Sequence, residues 1–218
     1  MAEVNVLTEL KKRELLILRE RVQRRIKPKG SPKRIKRIAG VDIVFTEEAG
    51  KIHVCASLCS YPRMVVLEEA IATDDIDRSL TEDLGNIAHV PLILSVLKML
   101  KAKYDIIMIK ELPFRGESPL SSYLGVIAGH PAIGISPRGG GLKRFARWEG
   151  ARRAGAVKIR GHKTPLGVVA GHLIAFKEAA GLVKACCTDS RIPEPVRDAG
   201  NRVRAWEREW RRLNLEGR

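Results

Sequence analysis

Glutamine and asparagine are nearly missing from this 218-residue chain: one Gln (Gln23) and four Asn stand beside abundant Glu, Lys and Arg. That balance is described for heat-adapted proteins and points to a hot-growing source. Aromatic residues make up only 5% of the chain, which argues against a membrane-surface helix with aromatic anchors. No window approaches the roughly 18 to 20 uninterrupted apolar residues of a membrane span, and Met1 to Lys12 has no signal-peptide core. A cytoplasmic protein with no membrane partner is expected. Cysteines number four, and neither Cys55 with Cys59 nor Cys186 with Cys187 has the C-x-x-C spacing of a zinc or redox motif. Buried free thiols are the expectation.

Acidic residues are also in short supply, 25 against 40 Lys and Arg, for a formal net charge of +15. The excess is uneven. Residues 1–40 carry 13 Lys and Arg against 4 acids, residues 41–137 carry 8 against 13, and residues 138–218 carry 19 against 8. An acidic centre between basic ends describes a folded scaffold with basic margins, suited to a phosphate backbone. With 44% apolar residues, a disordered basic tail is excluded.

Leu10, Leu15, Leu18, Val22 and Ile26 recur at helical spacing between Thr8 and Ile26, and KPKGSPKRIKR (Lys27 to Arg37) follows as an exposed basic linker. RIAGVDIVF (Arg37 to Phe45) and Lys51 to Ser60 read as a hairpin turning at Glu47 to Gly50, with a third strand over Arg63 to Ala72. The acidic stretch Ala72 to Asp83 is then a loop or helix start, and Leu84 to Lys103 a helix despite Pro91. Asp105 to Ile109, Ala132 to Ser136 and Leu166 to Ala170 read as strands, Ser118 to Ala128 and Leu173 to Ala185 as helices. Strands followed by alternating helix and strand give an α/β fold, a mixed β-sheet flanked by helices.

Asp42 is the only acid in an apolar strand, so it needs a metal, a cation or a hydrogen-bond network, or else it caps a loop at a strand end. Gly171 and His172 follow a strand-like run and open a helix, a place where side chains reach a cleft at the sheet edge, although a histidine there can equally be structural. In PRGGGLKRFARWEGARRAG (Pro137 to Gly155), glycines accompany Arg138, Lys143, Arg144, Arg147, Arg152 and Arg153, with Phe145 and Trp148 between them. Cations attract phosphates and aromatics stack on bases, so this stretch, with Lys33 and Arg34 of the linker, is the candidate nucleic-acid surface. The competing reading is a basic helix with Phe145 and Trp148 packed on the core. Trp206 and Trp210, four apart among the arginines of 197–212, dock onto the body rather than stack on bases.

RIAGVDIVF, YDIIMI (Tyr104 to Ile109), SSYLGVIAGHPAIGI (Ser121 to Ile135), TPLGVVAGH (Thr164 to His172) and SRIPEPVR (Ser190 to Arg197) resemble, in order and spacing, the endonuclease V family. The resemblance covers roughly residues 37–198 and implies an RNase H-like fold. It divides the chain into a basic N-terminal helix and linker (1–36), an endonuclease V-like domain (37–198) and a basic C-terminal helical tail (199–218). Active members of the family cleave DNA or RNA one bond beyond a deaminated adenine, inosine, using Mg²⁺ or Mn²⁺. Their metal is held by an aspartate on the first strand, a glutamate before the first long helix and an aspartate after the next strand.

Asp42 matches the first aspartate, and Gly171 and His172 match the family's late glycine-histidine pair. The glutamate falls at His89, and the second aspartate at Lys110. Pro137 replaces the lysine expected after the PAIGI strand, and the wedge that opens the duplex corresponds to Ser79, Leu80, Thr81 and Glu82. A hard divalent cation needs several oxygen ligands, and Lys110 in place of an aspartate puts an ammonium where it pairs with Asp42. The expectation is a pseudoenzyme: a nucleic-acid-binding homologue with no metal cofactor, favouring RNA over DNA. Two rivals stand beside it. One is a divergent metal-dependent endonuclease using Asp42, Glu111 and His172, with Glu111 turned inward beside His89 as a replacement ligand. The other is a structural subunit of a ribonucleoprotein or DNA repair complex with protein partners.

Overall fold

The computed structural model describes residues 2–112, 118–137, 142, 147–148 and 151–215, with the backbone alone at 2–8, 147, 148 and 151. Its centre is the strand β1 (Arg37–Thr46), which turns through a short 3-10 segment and Gly50, in the left-handed region, into the antiparallel β2 (Lys51–Ser60). The third strand, β3 (Val66–Asp75), runs three residues further than the alternation of Arg63 to Ala72 suggests, carrying Asp74 and Asp75 into the sheet edge. On the other flank of β1 lie β4 (Ile106–Lys110) and β5 (Ala132–Ser136), both parallel to it. Two further strands, β8 (Ala154–Val157) and β9 (Leu166–His172), complete the mixed sheet in the order β3-β2-β1-β4-β5-β9-β8 among the described residues.

Parallel strands require crossovers, and helices supply them. The helix expected over Leu84 to Lys103 begins only at Val90: α2 (Arg78–Leu84) and a 3-10 segment, Gly85–His89, precede α3 (Val90–Met99). Gly85, at positive φ, ends α2. Pro91 falls in the first turn of α3, where no intrahelical N–H is required. With α1 (Ala2–Gln23) and α4 (Leu120–Ala128), α3 covers the sheet face bearing Ala39, Val41, Ile107 and Ile109. The opposite face, with Ile38, Ile106 and Met108, is covered by α5 (Phe176–Ala185) and the start of α6 (Glu194–Asn214).

Helix α6 runs without a break across residue 199 and packs on the sheet. A Cβ at Gly40 of β1 would lie 2.0 Å from the Pro195 carbonyl, so only glycine lets the helix start so close to the sheet. Further along α6, Ala199 and Val203 pack on Cys55, and Trp206 Nε1 donates to Thr73 Oγ1 at 3.0 Å. Trp210 lies against His53 with ring centroids 5.5 Å apart. Both tryptophans therefore dock on the body as expected. The basic linker is exposed at Lys33 and Arg34, but its backbone is tied down: Leu173 N–H donates to Lys27 O at 2.6 Å and Ala175 N–H to Gly30 O at 2.8 Å.

Candidate functional site: a carboxylate held by two cations

Because β1 and β4 run parallel with Val41 opposite Ile109, the next residues, Asp42 and Lys110, emerge side by side on the α6 face. Asp42 is 3% exposed. Its Oδ1 accepts the Ile43 N–H at 2.8 Å and lies 3.0 Å from Lys110 Nζ; its Oδ2 lies 3.1 Å from the same nitrogen. Arg204, one turn after Gly200 on α6, adds a second cation, with Nη1 3.4 Å from Asp42 Oδ2. A Cβ at residue 200 would come within 2.6 Å of that oxygen, so glycine lets the helix bring Arg204 to the carboxylate. At about 4 Å and an effective dielectric near 20, one such pair attracts by about 4 kcal/mol before desolvation takes part of it back.

The other candidate ligands turn elsewhere. Glu111, one residue beyond β4, points to the opposite side and caps α4. Its carboxylate accepts the Leu120 N–H at 2.8 Å, the Ser121 N–H at 3.1 Å and the Ser121 hydroxyl. Burial pushes its pKa up, while the Ser121 and Leu120 hydrogen bonds and the Arg153 charge pull it back. As a replacement ligand Glu111 is therefore corrected to a helix cap.

His89 is 5% exposed, sits edge-on to Phe45 with centroids 5.4 Å apart, and is pushed by burial down to about 4. His172 closes β9 and its Nδ1 accepts the Lys27 N–H at 3.2 Å, which fastens the linker to the sheet. Burial lowers its pKa, and Lys27 lowers it further. Of the anticipated site residues, then, the structure brings together Asp42 and Lys110. Arg204 was not anticipated, because nothing in the sequence marks which arginine of α6 faces the sheet.

The proposed nucleic-acid residues divide. Arg138, Lys143, Arg144 and Phe145 lie outside the described residues. Arg147 and Trp148 form the strand β6, paired antiparallel with β7 (Ala151–Arg152), so these four residues are extended rather than helical. Arg152 is exposed, with its guanidinium 4.5 Å over the Phe176 ring. Arg153 belongs to the interior instead. Adjacent residues of extended chain face opposite ways, and Arg153, 2% exposed, donates to Ala170 O at 3.2 Å and to the Ser122 hydroxyl. Burial lowers its pKa to about 10, with Glu111 and Tyr123 opposing the shift. This buried guanidinium is a structural cation rather than a surface contact to phosphate.

The cysteines are free, with Cys55, Cys59 and Cys186 buried and Cys187 partly so. Burial pushes Cys55, Cys59 and Cys187 up to about 12 and Cys186 further, which favours the thiol over the thiolate.

A hairpin of long strands, two parallel strands beside it, helices on both faces and an aspartate on the central strand define an RNase H-like α/β protein. The family model for endonuclease V matches residues 18–201: the chain belongs to the endonuclease V family. Among curated relatives, endonuclease V of Gloeobacter violaceus is 28% identical over 188 residues, 79% of this chain and 76% of that protein. Endonuclease V of Dehalococcoides mccartyi strain BAV1 is 24% identical over 201 residues, 85% of this chain and 89% of that protein. Of solved structures, human endonuclease V superposes with a TM-score of 0.74 at 20% identity, covering 92% of this chain and 98% of that one. Endonuclease V of Ciona intestinalis, in complex with DNA containing an inosine followed by a ribo-adenosine, gives 0.70 at 19% identity, covering 96% and 99%.

The metal this family uses can be tested against the donors present. Both oxygens of Asp42 already face the cations Lys110 and Arg204, and His89 is a buried imidazole. Among the described residues no three His, Cys, Asp or Glu side chains converge as a metal site. A Mg²⁺ or Mn²⁺ ion requires anionic oxygens in place of these cations, so this set does not fit the family's metal.

Proposed function

We propose that this chain is a nucleic-acid-binding endonuclease V homologue that has exchanged its hydrolytic metal for an internal ion pair. The observation that carries the reading is Lys110 Nζ at 3.0 Å from Asp42 Oδ1. A metal-activated phosphodiesterase needs a polarising cation and an activated water, and the carboxylate around which both would be built is occupied by an ammonium. Neither Glu111, spent on the α4 cap, nor His172, spent on the linker, joins it. These placements also argue against the divergent endonuclease using Asp42, Glu111 and His172.

Nucleic acid as partner is supported by the net charge of +15, by exposed Lys33, Arg34 and Arg152, and by the inosine-containing DNA bound in the Ciona relative. RNA over DNA is our preference because no duplex-opening wedge projects at the corresponding place. Ser79 to Glu82 lie within α2, where Asp77 caps the helix by accepting the Leu80 N–H at 3.1 Å, and Leu80 is buried. No described helix is long and apolar enough to cross a membrane.

The test is incubation of the full chain with inosine-containing single-stranded RNA, single-stranded DNA and duplex DNA in Mg²⁺ and in Mn²⁺. Uncut substrate with retained binding is expected, whereas metal-dependent scission lost in Asp42→Ala would refute the reading.

A further inference from the structure

The cations around Asp42 carry donors that the carboxylate does not use. The lysine ammonium has three N–H groups and the arginine guanidinium five. Lys110 Nζ faces the two Asp42 oxygens at 3.0 and 3.1 Å, which leaves one direction open. Arg204 directs Nη1 to Asp42 and Nη2 to Asn201 Oδ1 at 3.3 Å, which leaves further N–H groups. The side chains of Lys110 and Arg204 are 34% and 45% exposed, against 4% for the Asp42 side chain. Seen from solvent, the cluster therefore presents cations over a buried anion, with a net charge of +1. A three-carboxylate site would present the reverse and recruit a divalent cation to meet a phosphate.

We infer that Lys110 and Arg204, held in place by Asp42, form a metal-independent site for one phosphodiester group of a bound nucleic-acid strand. This rests on the reading of the chain as a nucleic-acid-binding homologue and adds where and how the backbone is gripped. A +1 cluster complements a singly charged phosphodiester. Asp42 acts as the positioning residue: its two oxygens fix the ammonium, and it draws the guanidinium to the same edge, so neither cation need be ordered when the strand arrives. Charge-assisted hydrogen bonds from ammonium and guanidinium to phosphate oxygens suit this chemistry. No bond is made or broken, and no divalent ion takes part.

The experiment is fluorescence anisotropy of short labelled single-stranded RNA and DNA titrated with the full chain, in EDTA and in Mg²⁺, across a salt series. The wild-type affinity is expected to be the same in EDTA and in Mg²⁺. Lys110→Met and Arg204→Gln should each weaken binding about tenfold and make the slope of log affinity against log salt shallower by about 0.7 for a single strand. Lys110→Arg should restore most of both. Lys110→Asp, which reverses the charge beside Asp42, should bind more weakly than Lys110→Met. Circular dichroism melts establish that each variant is folded, and Arg204→Gln carries the test if Lys110→Met is not. The RNA and DNA arms tell which strand is gripped.

Unchanged affinity and salt slope in both Lys110→Met and Arg204→Gln would overturn the site while leaving the non-cleaving, nucleic-acid-binding reading intact. Wild-type binding that appears only with a divalent ion would also overturn the site, and scission in Mg²⁺ would overturn the reading beneath it. A wild-type chain that binds neither strand refutes both.

Discussion

Lys110 Nζ lies within 3.1 Å of both carboxylate oxygens of Asp42, across two parallel strands and 68 residues of chain. Asp42 is 3% exposed, so the ammonium and Arg204 supply the charge compensation a buried carboxylate needs.

Removing the ammonium should therefore destabilise the fold. Breaking a fully buried pair costs about 3–5 kcal/mol. Lys110 is one-third exposed and Arg204 remains nearby, so Lys110→Met should cost about 1–2 kcal/mol, read as a lower urea midpoint with an unchanged slope. Asp42→Asn combined with Lys110→Met should recover much of the loss, because the buried charge is then gone and the cation that remains, Arg204, is 45% exposed to solvent.

His89 sets a pH dependence. Burial holds its pKa at about 4 in the folded chain, against 6.5 as the ordinary value. The unfolded chain binds the proton first as pH falls, so stability is fully present above about pH 6.5 and is lost progressively toward pH 4. The full effect is about 3 kcal/mol. His53, His130 and His172 are also lowered, each mainly by burial, so the contribution of His89 is the difference between wild type and His89→Leu in denaturant titrations at pH 7 and pH 4.5. A flatter pH profile is expected in the variant; parallel profiles would contradict the assignment.

Glu111 and Arg153 should behave as a unit. The carboxylate caps α4 and supports the buried guanidinium. Glu111→Ala removes an N-terminal cap, about 1 kcal/mol, and leaves a buried cation with less compensation, so a loss of about 3 kcal/mol or more is expected in thermal or urea unfolding. Arg153→Met should be similarly destabilising and should leave the salt slope of nucleic-acid binding unchanged, since Arg153 does not reach the surface.

What the sequence made legible follows from where its information is local. The hairpin β1-β2 announces itself through alternation on one face of Lys51 to Ser60 and a turn ending in Gly50. Asp42 stands out because a lone acid in an apolar strand needs a partner, and the match of Lys110 to a missing aspartate supplied one. Arg204 was invisible because its contact depends on the approach of α6 allowed by Gly40 and Gly200, which only the topology reveals. Arg153 looked like its neighbour Arg152 because charge alone does not show which way an extended residue faces. Likewise Glu111, immediately after Lys110, reads as a possible ligand until the α4 N-terminus is seen to claim it.

Metal titration tests the central claim most directly, with Mn²⁺ added to the wild-type chain and to Lys110→Asp combined with His89→Glu, followed by calorimetry and electron paramagnetic resonance. The account predicts no saturable Mn²⁺ site around Asp42 in the wild type, and a site gained in the double variant once two carboxylates replace the ammonium and the imidazole. Saturable Mn²⁺ binding by the wild type that disappears in Asp42→Ala would contradict it.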